Sequence, residues 1–280
     1  MNEKLFNSDY LLHLCQKYYL QPNKKYGQNF LIDPEPIGVM LVAGEVNRGD
    51  TVVEVGPGFG VLTFALAEAA EKVIGFEIEK KLQTYWNDEI KKMGNLEIVW
   101  GNVLKECRNK VGVPEFGKYK VVANLPYQIT SNFIRTFLEL DNKPESMVLM
   151  IQKEVAERIC AQPGDNSVLS VSVQYYADTE IQAQVPRKMF WPEPAVDSAI
   201  IKIVPKVGVK NDDNFFRIVK AGFAQKRKLL IKNLLPIVGK KNKTVLEDIF
   251  VKMGYNNNVR AQELSLENWR TLAKEFPSQP

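Results

Sequence analysis

The tetrapeptide Asn124-Leu125-Pro126-Tyr127 holds the residues best suited to chemistry in this 280-residue chain. An exocyclic amine such as adenine N6 is a poor nucleophile, because its lone pair is delocalised into the ring. A site that methylates such a nitrogen must draw it toward tetrahedral geometry. The Asn124 side-chain carbonyl and the Leu125 backbone carbonyl could each accept one of its hydrogens and aim the lone pair at an electrophilic methyl. Pro126 would stiffen the loop by fixing φ, and Tyr127 would stack on the ring. No strong general base is required, since the proton can leave after the methyl arrives and catalysis is mostly positioning and electrostatics. The same residues also suit an ordinary turn after a strand, where Asn and Pro are common.

Upstream, Glu54-Val55-Gly56-Pro57-Gly58-Phe59-Gly60 carries a predicted strand directly into a predicted helix. Glycines at the carboxyl end of a strand let the backbone turn tightly and approach a ligand, which in open α/β sheets binds there. The spacing is GxGxG after an acid, not the GxGxxG of a dinucleotide site, and alone it is a weak signal. Glu77 strengthens it by closing the next predicted strand, 21 positions after Gly56. A carboxylate there can accept hydrogen bonds from both hydroxyls of an adenosine ribose. Asn102, just past a third strand ending at Trp100, stands where nucleoside-binding sheets place a side chain against the adenine. A Gly-rich turn with an incidental acid is the plain alternative.

A second aromatic candidate, Phe190, lies in Pro186-Arg187-Lys188-Met189-Phe190-Trp191-Pro192-Glu193-Pro194-Ala195-Val196-Asp197-Ser198, a segment its three prolines would stiffen. A base taken out of its stack is held between aromatic or apolar side chains, so Phe190 either opposes Tyr127 or serves as a hydrophobic plug. Other chemistries find little support. The one histidine, His13, lies in the apolar run Leu11-Leu12-His13-Leu14 and reads as a packed helix residue, which removes His-based triads. Cys15, Cys107 and Cys160 are odd in number and far apart, so neither disulfides nor a metal site is expected. Each reads as a small buried hydrophobe.

Strands must present these residues. Apolar runs at Thr51–Val55, Lys72–Glu77, Leu96–Trp100, Tyr119–Ala123 and Met147–Ile151 alternate with helical stretches at Val61–Ala70, Lys80–Lys92 and Ser131–Leu140. Strands apolar on both faces and separated by helices predict a parallel sheet covered on both sides. A helix is expected at Val168–Tyr176, and late strands at Glu180–Val185 and Ala199–Val204. Beyond Pro205, helices at Asp212–Ala221, Lys228–Leu235, Thr244–Met253 and Leu266–Phe276, separated by Pro, Gly and Asn, predict a small all-α domain. The expected domains are 1–204 and 205–280.

With 45% hydrophobic and 25% charged residues, the chain can bury a core of ordinary size. No stretch approaches the roughly 18 apolar residues of a membrane span, and Met1–Tyr10 lacks a secretory signal, so a cytoplasmic protein is expected. Net charge is +4, yet Lys202–Lys243 holds twelve Lys/Arg against Asp212 and Asp213, a local +10. Any polyanion-facing surface therefore belongs to the C-terminal third, with a merely solvated basic face as the alternative.

Taken together, Tyr26–Asp33, Glu54–Gly58, Glu77, Asn124–Tyr127, Phe190–Ser198 and Phe223–Lys228 resemble the KsgA-type rRNA adenine dimethyltransferase family, to which the Erm enzymes are related. The resemblance implies a Rossmann-like, seven-stranded class I methyltransferase sheet with a reversed last strand, followed by a small C-terminal all-α domain. It implies S-adenosylmethionine as cofactor. Asn29 and Leu31, in an N-terminal covering segment 1–33, would close over its methionine part. Gly56, Gly58 and Glu77 would bind its backbone-facing side and ribose, and Asn124 both cofactor and target amine. Asn102 departs from the family, which usually has Asp at the adenine contact. Lys220, Lys226, Arg227 and Lys228 would meet RNA. Leu125 and the Val196-Asp197-Ser198 ending place the chain nearer the small-subunit branch than Erm. The implied target is then two adjacent adenines in a hairpin near the 3′ end of small-subunit rRNA, in a pre-ribosomal particle, with the enzyme acting as a monomer. Rival readings are an Erm-like large-subunit enzyme, a catalytically silent assembly or transcription factor, and a small-molecule methyltransferase.

Overall fold

The computed structural model describes residues 3–22 and 28–276. Tyr26 and Gly27 of the expected N-terminal motif lie outside the described residues. After a 3-10 turn at Glu3–Phe6 come α1 (Ser8–Lys17), β1 (Phe30–Leu31) and α2 (Glu35–Ala43). Strand and helix then alternate through β2 (Thr51–Val55), α3 (Val61–Ala69), β3 (Lys72–Glu77), α4 (Gln83–Ile90), β4 (Leu96–Trp100), α5 (Val103–Lys110), β5 (Lys120–Asn124), α6 (Thr130–Leu138) and β6 (Met147–Gln152). Helices α7 (Lys153–Ile159) and α8 (Val168–Tyr176) precede β7 (Ala177–Val185), β8 (Phe190–Trp191) and β9 (Ser198–Pro205). Last come α9 (Asp213–Gly222), α10 (Leu230–Val238), α11 (Lys243–Lys252) and α12 (Leu266–Glu275).

Seven strands form one sheet in the order β4-β3-β2-β5-β6-β9-β7. β2 pairs in parallel with β3 and β5, β3 with β4, and β5 with β6. β9, the last strand in sequence, runs antiparallel to β6. Val52, Val53, Val73, Ile74, Val121, Val122, Val148 and Leu149 are all fully buried, as continuous apolar runs in a sheet covered on both faces must be. The strand order turns back between β2 and β5, and ligands of open α/β sheets bind outside the carboxyl ends of the strands at that crevice. A second, two-stranded sheet pairs β1 with β8, Phe30 opposite Trp191 and Leu31 opposite Phe190.

Two compact units result, and the boundary differs from the expected one. Residues 1–156 and 178–205 form the first; 157–177 and 206–280 form the second. On the sequence alone Val168–Tyr176 falls in the first domain, since it follows the alternating strands. In the structure its apolar residues complete the helical core. Val171 joins Phe215, Leu230 and Trp269, the Tyr175 ring lies 4.4 Å from Phe215 and 5.0 Å from Phe216, and Asn166 Nδ2 donates to Leu264 O at 2.8 Å. Two smaller expectations also change. His13 is exposed on α1, and Cys160 is only half-buried while Cys15 and Cys107 are buried.

Candidate active site

Three glycines in the left-handed region shape the loop after β2. Gly56, Gly58 and Gly60 have φ of +70°, +57° and +87°, values that residues with a Cβ rarely adopt. At Gly60 space forbids a side chain too, since a Cβ would lie 2.8 Å from Phe64 and 2.9 Å from Trp86. At Gly56 a Cβ would meet nothing within 4 Å, because this glycine borders the pocket at the carboxyl edge of the sheet.

Two buried carboxylates line that pocket. Glu77 is 4% exposed. Its Oε2 accepts from Gly58 N at 3.0 Å, and its Oε1 from Ile78 N and Glu79 N, each at 2.8 Å. Burial raises its pKa above the usual carboxylate range, against the pull of those amides. Two donors occupy Oε1, whereas Oε2 retains an acceptor position that suits a ribose hydroxyl. Glu54, near the end of β2, is 2% exposed, and its Oε2 has no hydrogen-bond partner among the described residues. Burial pushes this carboxyl up to about 8, with the Thr63 hydroxyl opposing and the Glu77 charge adding to the rise. A buried, unpaired carboxyl oxygen is destabilising until a donor or cation reaches it. The pocket therefore fits a nucleoside that carries positive charge, as S-adenosylmethionine does.

Asn124 closes β5 opposite Met150 of β6, and both line the same pocket. Among the described residues none hydrogen-bonds the Asn124 side-chain amide, so its donor and acceptor stay available. Leu125 donates its N–H to Met150 O at 3.0 Å and buries its side chain, which leaves its carbonyl as the group able to act. Pro126 turns the chain into a 3-10 turn at Tyr127–Ile129. The Tyr127 hydroxyl shares a 2.8 Å hydrogen bond with Ser198 Oγ, and Ser198 is fully buried at the start of β9. Burial raises the Tyr127 pKa, with Ser198 opposing and the Asp197 charge adding.

Asn29, Leu31, Gly56, Gly58, Glu77, Asn124 and Pro126 thus line one pocket. Leu125 and Tyr127 flank Pro126 in the same loop. Asn102 and Phe190 are not among the lining residues. Asn102 caps α5, its Oδ1 accepting from Leu104 N at 3.0 Å. Phe190 is 3% exposed in the core of the first unit, so the ring face expected to stack on a base is covered, and its pairing opposite Leu31 carries it there. Sequence reasoning missed Phe30, Ile37, Met40, Leu62 and Met150 as pocket residues, which no pattern separates from ordinary core. It also passed over Glu54, for which the acid directly ahead of the glycine loop was the available signal.

In the second unit, Lys220 lies on α9 and Lys226, Arg227 and Lys228 in the turn between α9 and α10, all four exposed. None of them forms an ion pair among the described residues.

A doubly wound sheet with a glycine loop after one central strand, an acid ending the next, and an amide ending the strand on the other side defines an α/β enzyme of the nucleoside-cofactor methyltransferase class. The model of the family described as ribosomal RNA adenine dimethylase matches residues 19–277. The chain belongs to that family of S-adenosylmethionine-dependent rRNA adenine dimethyltransferases. It is 39% identical over 279 residues to the ribosomal RNA small subunit methyltransferase A of Clostridioides difficile (strain 630), covering 97% of this chain and 96% of that one. To the protein of the same name from Bacillus pumilus it is 37% identical over 284 residues, covering 98% and 97%. Among solved structures it is similar to a dimethyladenosine transferase from Plasmodium falciparum, with a TM-score of 0.75 and 27% identity over 88% of this chain and 96% of that one. It is also similar to the 23S rRNA methyltransferase ErmE, with a TM-score of 0.71 and 25% identity over 89% and 99%.

Proposed function

We propose that this protein methylates N6 of two adjacent adenines in a hairpin near the 3′ end of small-subunit rRNA, within a pre-ribosomal particle, and so takes part in small-subunit biogenesis. The observation that carries the reading is Asn124, an amide without a partner among the described residues that shares its pocket with Glu54 and Glu77. Relatives at 37–39% identity named for the small subunit support this target over the 23S rRNA named for ErmE.

When bound, S-adenosylmethionine would supply an electrophilic methyl on a sulfonium. Glu77 Oε2 would accept a ribose hydroxyl, and Glu54 would face the cofactor's positive charge. Asn29 and Leu31 would cover the methionine part, Gly56 and Gly58 would admit the ligand close to the backbone, and Asn102 would meet the adenine. Asn124 Oδ1 and the Leu125 carbonyl would each accept one N6 hydrogen of the target, holding the nitrogen out of conjugation in a preorganised site. Tyr127 would stack on the base. Phe190 could oppose Tyr127 across the base only by leaving the core in which it is buried. Lys220, Lys226, Arg227 and Lys228 would neutralise phosphates and fix the RNA's position without reading its sequence, giving the helical unit, 205–280 in the sequence reading, the task of gripping RNA. The protein would act as a cytoplasmic monomer.

The TM-score of 0.71 to ErmE makes large-subunit rRNA the second reading. Labelled methyl transfer to small-subunit particles, large-subunit particles and free nucleosides separates the two. Label confined to adenines of small-subunit rRNA is expected. Label in large-subunit rRNA alone would move the protein to the Erm-type reading, and particle binding without transfer would make it a silent assembly factor.

A further inference from the structure

The basic turn at 224–228 lies between two fixed points. At one, Gly222 ends α9 so close to α12 that a Cβ would run into the Trp269 ring. At the other, Leu230 N donates to Val259 O at 2.9 Å as α10 begins. Between them, Ala224 N donates to Ala221 O and Lys228 N to Gln225 O, each at 3.0 Å. One side chain adds to this. Asn233 on α10 is 7% exposed, and its Nδ2 donates to Gly222 O at 2.6 Å and to Gln225 O at 3.1 Å. Both hydrogens of the amide are used, and the two carbonyls they hold are the last of α9 and the one that begins the turn of Lys226, Arg227 and Lys228.

We infer that Asn233 is a positioning residue for RNA binding: by clamping Gly222 O and Gln225 O it holds the three cations of the basic turn in one arrangement before RNA arrives. The inference rests on the proposed contact of those cations with RNA. A turn ordered in advance does not lose its conformational freedom on binding, and affinity gains by that difference. Removing the clamp leaves every charge in place, so long-range attraction is unchanged and only simultaneous contact suffers.

The test measures binding of fluorescently labelled small-subunit ribosomal particles, across a salt series, to five proteins: wild type, Asn233→Ala, Asn233→Ser, Leu234→Val, and the triple variant Lys226→Ala/Arg227→Ala/Lys228→Ala. Leu234 is fully buried in the same core and serves as a control for loss of stability alone. Expected are a Kd raised about fivefold to tenfold in Asn233→Ala, a salt slope lower in magnitude by about 1 through loss of one phosphate contact, and an unchanged Kd for S-adenosylmethionine. Asn233→Ser, which keeps one donor, should fall between and gives the same reading where Asn233→Ala does not fold. Wild-type particle affinity in a folded Asn233 variant overturns the inference, as does an equal loss in Leu234→Val. If the triple variant binds particles weakly while Asn233→Ala binds normally, only the positioning role fails. If the triple variant also binds normally, the RNA contact it rests on fails with it.

Discussion

The Tyr127 hydroxyl and Ser198 Oγ lie 2.8 Å apart, tying the loop after β5 to the first residue of the reversed strand β9. The two residues are 71 positions apart in sequence, so the loop proposed to hold the target amine takes its rigidity from a strand two places away in the sheet.

Ser198→Ala should therefore free the Tyr127 ring without disturbing the cofactor pocket. A buried hydrogen bond contributes about 0.5–1.5 kcal/mol, which corresponds to roughly a twofold to tenfold lower kcat/KM for methyl transfer. Steady-state kinetics beside calorimetric titration of S-adenosylmethionine checks it, and an equal loss of cofactor affinity would show that Ser198 supports the whole pocket instead.

Asn124→Ala should leave a folded protein whose turnover falls at least about a hundredfold, the scale for removing one preorganised acceptor from a transition state. Single-turnover methyl transfer measures this directly. Turnover near that of wild type would sink the proposed role.

Asn102 separates two roles by substitution. Asp caps a helix as well as Asn, whereas Ala loses about 1 kcal/mol. Thermal unfolding should thus show Asn102→Ala destabilised and Asn102→Asp unchanged. A carboxylate also offers a second oxygen to the adenine amino group in a charge-assisted bond, so Asn102→Asp should tighten S-adenosylmethionine by about threefold to tenfold, from roughly 1 kcal/mol. Equal titration curves would leave Asn102 as a helix cap alone.

Glu54 gives a pH dependence with a defined sign. Its carboxyl rises from 4.5 to about 8 on folding, so the folded protein binds this proton more tightly than the unfolded chain does. Stability without cofactor should fall as pH rises from about 4.5 to about 8 and level off above that window. Glu54→Gln removes this contribution, so its stability relative to wild type should widen in its favour across the window. Thermal unfolding at pH 6 and pH 8.5 reads the difference. At pH 8.5, where the wild-type carboxyl is mostly ionised, the same variant should bind S-adenosylmethionine at least about tenfold more weakly, through loss of a charged partner.

Phe190→Ala tests whether a covered ring also works in catalysis. Truncating a buried Phe costs about 3–5 kcal/mol of stability. If the ring opposes Tyr127 across the flipped base, substrate use should weaken by a further 1–3 kcal/mol or so, the scale of one stacking contact. Methyl transfer at the wild-type rate, well below the melting temperature, would make Phe190 a plug.

The central sheet was legible because buried parallel strands appear as unbroken apolar runs: Thr51–Val55, Lys72–Glu77 and Leu96–Trp100 are read and found at the same bounds. Gly56, Glu77 and Asn124 were legible because each follows or ends such a run. The pairing of β1 with β8 was not, since two residues carry no period, and Phe190's covered position depends on it. Helix α5 buries only Val103 and Cys107, too few to mark a face, so the capping of Leu104 by Asn102 stayed hidden. Glu180–Val185 was read short because β7 starts at Ala177, directly at the end of a helix with no breaker between them. The burial of Glu54 follows from packing on both sides of β2, which no local pattern records.

The helical unit is not a continuous stretch of chain, since the backbone passes between the two units at 156/157, 177/178 and 205/206. During translation α8 emerges with Val171 and Tyr175 uncovered, and the Trp269 that completes their core is made on the order of 5–20 s later at ordinary synthesis rates. A fragment starting at residue 206 would present Phe215 and Phe216 without the tyrosine that packs on them. Expressing the basic unit by itself therefore calls for a circular permutant or a spliced fusion that brings 157–177 along.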